Sequence, residues 1–108
     1  VTVQNRFKEE YEQAVIEALS ILGQHISVLI ISYIEEKYSI RLSDTADNPK
    51  ALSDALESTI HGATRIGQRR ILFSLYNRIG ISLPFVITIN FEDKILNARK
   101  EYEKKYES

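Results

Sequence analysis

The chain reads as an all-α bundle of four to five helices, built from two helical hairpins and closed by a C-terminal helix. Three observations predict this class. Apolar residues recur at three- and four-residue steps along most of the chain, the period of a helix with one buried face. Only four Gly and two Pro occur, too few for a turn-rich β architecture. Gly23 and Gly62 each fall between two periodic stretches, the layout of a helical hairpin.

Taken in order, Arg6 to Leu22 is expected as the first helix. Phe7, Tyr11, Ala14, Val15, Ala18, Leu19 and Leu22 share its inner side, Lys8, Glu9, Glu12 and Gln13 its outer side, and Gly23 closes it as a C-cap. Ile26 to Tyr38 is the second. Ile26, Leu29, Ile30, Tyr33 and Ile34 form one stripe, with Val28 and Ile31 on a different side. A helix this apolar on most faces is either the central element of a bundle or part of an oligomer contact. Its β-branched residues leave a strand as the rival reading, but its length and the Glu35-Glu36-Lys37 tail favour helix.

Arg41 to Asn48 is a polar loop. Asn48 as N-cap and Pro49 at the first helical position then start a third helix, which runs to about His61 and buries Leu52, Ala55, Leu56 and Ile60. Ala63 to Ile79 is the fourth, with Ile71, Leu72, Leu75, Tyr76 and Ile79 in one sector that Ile66 and Phe73 widen. Gly80 ends it. Ser82 to Ile89 is expected as an extended or irregular connector packed on the core. Asn90 caps a last helix to about Tyr106, whose inner side carries Phe91, Ile95, Ala98, Tyr102 and Tyr106. Asp93 near its start and Lys104 and Lys105 near its end suit the helix dipole.

With 108 residues the chain is long enough for one domain, 1–108, and too short for two. Val1 at its start is consistent with a piece of a longer chain, a GTG start or processing. The absence of Cys removes disulfides, thiolate zinc sites and cysteine nucleophiles together. No apolar run reaches the roughly 18 residues of a spanning helix, and the N-terminus has no signal-peptide pattern. The expectation is a soluble cytoplasmic domain with no membrane contact.

The net charge of −1 hides an asymmetry. Between Glu9 and Glu57 there are ten acids against Lys37, Arg41 and Lys50. From Ser58 through Phe91 there is no acid, and Arg65, Arg69, Arg70 and Arg78 stand alone. Such segregation marks either an anionic partner or one part of a fold pairing with another.

The catalytic inventory is thin. His25 and His61 lie at opposite glycine breaks without a ligand-spaced partner on the same helix, and read as ordinary interhelical histidines. The glutamates fall on expected solvent faces, the serines lack nucleophile-elbow glycines, and no Gly-rich phosphate loop occurs. No catalytic, cofactor-binding or metal-binding residue is assigned, and an enzyme is disfavoured.

Two surfaces remain. Arg65 and Arg69 lie one turn apart on a line that borders the apolar sector, so a partly covered seam is expected there. Arg70 and Arg78 point toward the polar side with Ser74 and Asn77. These arginines either pair with Glu35, Glu36, Asp54 or Glu57, or form an anion or nucleic-acid surface. No aromatic–basic interleaving supports the latter along the chain. The second surface lies at the terminal helices, where Phe7 and Tyr11 match Tyr102 and Tyr106; these either pair within the chain or meet a partner.

The segments Ala18-Leu19-Ser20-Ile21-Leu22-Gly23, Tyr38-Ser39-Ile40, Asn48-Pro49, Ala51-Leu52-Ser53-Asp54-Ala55-Leu56-Glu57, Gly62-Ala63 and Leu75-Tyr76-Asn77-Arg78-Ile79-Gly80-Ile81 carry a family likeness. Together, over Ala14 to Ile81, the chain resembles the small archaeal helical domains called Nitrosopumilus output domains. The resemblance implies a compact all-helical domain, present alone or attached to signalling modules, with a regulatory output role and no catalytic motif to carry over.

The leading functional expectation is therefore a non-enzymatic regulatory or protein-interaction domain. It would act by helix-face docking and form a homodimer, with Val28, Ile31, Tyr102 and Tyr106 as contact residues. The alternative is a nucleic-acid or anion binder using Arg65, Arg69, Arg70 and Arg78.

Overall fold

The structure, a computed structural model, describes residues 2–83 and 90–107; among these it holds five α-helices and no strand. The helices are α1 (Val3–Leu22), α2 (Ile26–Tyr38), α3 (Pro49–Thr59), α4 (Thr64–Ile79) and α5 (Phe91–Glu107), with a 3-10 turn at Leu42–Ala46 inside the expected polar loop. Pro84 through Ile89 of the expected connector lie outside the described residues.

Local signals account for most boundaries. The Thr2 side chain accepts from the Asn5 N–H at 3.1 Å, so α1 begins at Val3, three residues before the expected start at Arg6. Pro49 occupies the first turn of α3, while Asn48 holds the N-cap position without a side-chain cap bond. At α5 the Asn90 side chain does accept, from the Asp93 N–H at 2.8 Å. Gly80 stops α4 in the left-handed region at φ 69°, and the Ile81 N–H reaches back to the Tyr76 carbonyl at 3.1 Å. A side chain at that φ would be strained, which is why glycine suits the cap.

The two hairpins are not the tightest pairings. α1 packs most extensively on α4, and α2 on α3, so the hairpins interlock rather than stand side by side; α5 then lies against α1, α3 and α4. Gly67 permits part of this. A Cβ there would stand 3.1 Å from Ile60 Cδ1, so a glycine that weakens a helix interior by about 1 kcal/mol lets α4 approach α3 closely.

The core holds Phe7, Tyr11, Ala14, Val15, Ala18 and Leu19 of α1 in one stripe, as the period predicts. Tyr11 carries a polar contact into its interior. Thr45 Oγ1 donates to the Leu42 carbonyl at 2.6 Å, which leaves it to accept from the Tyr11 hydroxyl, also at 2.6 Å. Burial pushes the Tyr11 phenol above its usual range, and the Thr45 contact draws it partly back. Among the described residues, no buried side-chain polar atom lacks a partner. The Cα radius of gyration is 13.1 Å, close to the ~13 Å expected of a compact chain of this length.

Three expected core positions are corrected. Leu29 of α2 is 53% exposed, and Ile66 and Phe73 of α4 are 54% and 71% exposed. α2 buries only Ile30 and Ile34 because α1, α3 and the 3-10 turn all meet one side of it. α4 is covered by α1, α3 and α5, which leaves the arc holding Ile66 and Phe73 outside the contacts.

Candidate functional site

That uncovered arc is the candidate site. At about 100° per residue, Arg65, Arg69, Phe73, Ile66, Asn77 and Arg70 fall within about 140° of the α4 circumference, and all six are exposed; Tyr76, which falls in the same arc nearer the C-terminal end, is buried against α5. Phe73 lies at the middle of the arc with an arginine to either side. The interleaving of aromatic and basic groups that the linear sequence lacks is thus produced by the helical turn.

The arginines do not pair as expected. Among the described residues, Arg65, Arg69 and Arg70 have no carboxylate partner, and Arg65 and Arg69 lie in the open rather than at a covered seam. Two of the acids proposed for them are engaged elsewhere. Asp54 Oδ2 accepts from Lys37 Nζ, Tyr38 and Tyr33, and Glu57 accepts from Thr64 and meets His61. Glu35 and Glu36 remain exposed at the end of α2, without an ion pair among the described residues.

Arg78 is the exception, and it leaves the anion-binding set. Its Nη1 lies 3.1 Å from Glu17 and its Nε 3.5 Å from Glu10, with the side chain only 31% exposed. Both acids project from α1 toward α4, and Glu17 also accepts from Ser74 at 3.3 Å. Ser74 is buried in that seam, not on the polar side where the sequence places it.

The expected contact residues separate in the same way. Val28 is 59% exposed on the outer face of α2, while Ile31 is half-buried against the core. Tyr102 is corrected: it is 4% exposed, with its ring 5.6 Å from Phe7, and so belongs to the intrachain seam of α1 and α5. Tyr106 lies half outside that seam, 4.6 Å from Tyr102 and under the Arg6 guanidinium.

Other polar groups hold the bundle together. Lys8 bridges Asp44 and Asp47, and Arg99 joins Asp47 to Glu103, which ties α1 and α5 to the 3-10 turn. The open cleft above this network is lined by Asn5, Lys8, Glu9, Glu12, Arg41 and Asp44, a mixture of both signs. His25 and His61 are exposed at the turns instead of interhelical. Among the described residues, no three His, Asp or Glu side chains converge as metal ligands, and no helix is long and apolar enough to cross a membrane.

Fold and surface together define a class, an all-α bundle in which α2 and α4 each set exposed apolar groups beside charges that have no ion pair among the described residues. No family model, curated protein or solved structure matches the chain.

Proposed function

We propose that the chain is a non-enzymatic, output-type regulatory domain of the cytoplasm that acts by docking its outer helix faces on protein. The observation that carries this reading is the α4 face. Phe73, at 71% the most exposed of the large apolar side chains among the described residues, stands with Ile66 among three arginines that have no carboxylate partner there. Aromatic and arginine side chains are the groups enriched at the centres of protein interfaces, and a contiguous exposed apolar patch marks such sites. The likeness to output domains, with helix breaks at Gly23, Gly62 and Gly80, supports the regulatory role.

Photo-crosslinking in the cells that make the protein tests this. A photoreactive residue replacing Phe73 or Val28 should give discrete protein adducts, and the same residue at exposed Lys50 should not. Equal labelling at all three positions, or none, overturns the reading.

A second reading, nucleic-acid binding, is favoured by the same freedom of Arg65, Arg69 and Arg70 and by Phe73 as a stacking platform between them. Three phosphate contacts predict a log–log salt slope of about −2 on single strands. Fluorescence anisotropy should then show weakened binding in Arg69→Ala and Arg70→Ala and unchanged binding in Arg78→Ala. Absence of binding at low salt removes this reading.

A further inference from the structure

The outer face of α2 has the complementary composition to that of α4. Val28 and Leu29, 59% and 53% exposed, are followed about two turns later by Glu35 and Glu36, both exposed and without ion pairs among the described residues. Within one chain the two faces do not meet, because α2 and α4 make no contact with each other. We propose that they meet between copies: the α4 face of one molecule docks antiparallel on the α2 face of a second. This rests on the docking reading of α4 and names its partner.

The register supports the match. With Phe73 set over Val28 and Leu29, the 1.5 Å rise per residue places Arg69 about 6 Å and Arg65 about 12 Å further along α4. Glu35 and Glu36 lie about 10.5 Å beyond Val28 and Leu29 along α2. In the antiparallel orientation these displacements run the same way, so the free carboxylates fall between the two free guanidinium groups, with Ile66 opposite them. A parallel orientation instead carries the arginines toward His25 and sets the acids opposite Gly80. Charge thus selects one orientation, and the apolar pairs supply the buried area. Each group is exposed and has no ion pair among the described residues, so docking breaks none of the ion pairs described.

Sedimentation velocity on the full chain over a range of concentrations tests this, with circular dichroism melts of every variant to confirm folding. Wild type should self-associate, and Phe73→Glu and Val28→Glu should each weaken association by about tenfold or more. Two charge reversals are decisive. The double variants Arg65→Glu with Arg69→Glu, and Glu35→Arg with Glu36→Arg, should each lose self-association, while an equimolar mixture of the two should regain it. A monomer at every concentration, association unaffected by these variants, or no recovery in the mixture overturns the proposal. Should the wild type stay monomeric while position 73 still crosslinks to a different protein, the self-docking fails and the docking role stands. Binding of single-stranded nucleic acid that requires Arg65 and Arg69, with no self-association, gives the face to nucleic acid instead.

Discussion

Phe7→Ala should destabilise the protein by about 3–5 kcal/mol, whereas Phe73→Ala should change stability by no more than about 0.5 kcal/mol. Phe7 is fully buried, its ring stacked 6.3 Å from Tyr11 and tilted against Tyr102 at 5.6 Å. Truncating it removes the transfer energy of the ring and leaves a cavity that Tyr11, on the same helix, and Tyr102, on α5, can fill only in part. Set against a total stability of about 5–15 kcal/mol for a domain of this kind, that loss brings the variant near its folding limit. Phe73 sits on the outer arc of α4, so its truncation removes few contacts. Urea denaturation followed by circular dichroism measures both. Similar midpoints for the two variants would contradict the burial described for Phe7.

Asp54→Ala should cost about 1–2 kcal/mol and flatten the acid limb of the stability curve. One carboxylate oxygen, Oδ2, accepts from Lys37 Nζ at 2.7 Å, from Tyr38 at 2.7 Å and from Tyr33 at 3.0 Å, which joins α2 to α3. Hydrogen bonds to a charged acceptor are each worth about 1.5–3 kcal/mol, but this side chain is 32% exposed, so solvent reduces the sum. The Lys37 ammonium foremost, then Tyr38, holds the Asp54 carboxyl down at about 2. In the unfolded chain the same group titrates near about 3.9. The unfolded state therefore binds more protons between these values, and stability falls as pH drops from about 4 to about 2. Asp44 and Glu57, both also lowered, add to the acid limb in the same direction. Equilibrium unfolding at stepped pH should show a shallower acid loss in Asp54→Ala than in wild type; identical slopes would show that this carboxylate is not held low by its contacts.

Much of the backbone plan can be read along the chain. α2 runs from Ile26 to Tyr38, where the apolar period and the Glu35-Glu36-Lys37 tail place it, and α4 ends at the residue before Gly80. Asn90 caps α5 by the short-range hydrogen bond its side chain favours. The early start of α1 was available in Thr2, a preferred N-cap residue just ahead of the helix. The 3-10 turn at Leu42–Ala46 was harder to see, since its Asp44 closes back on the Arg41 N–H within a segment that reads as loop.

The functional face was much less legible. Helical periodicity states the angle of every side chain on α4 relative to its neighbours, but not which arc another helix will cover. Ile66 and Phe73 are apolar, so periodicity places them with the core, and Arg65 and Arg69 at a partly covered seam. The covered arc is set by α1, α3 and α5, elements distant in the chain. Arg78 likewise finds Glu17, 61 positions away, rather than the nearer acids of α2 and α3.

The amino-acid order alone gave a bundle of four to five helices, most of the helix ends and the inner stripe of α1, because caps, glycines and the 3.6-residue period act over a few neighbouring residues. The tertiary structure decided that α1 packs on α4 and α2 on α3, and with that which arginines stay free and which phenylalanine faces water. Those choices come from packing summed over the whole bundle, where the face a helix buries depends on partners that no local pattern names.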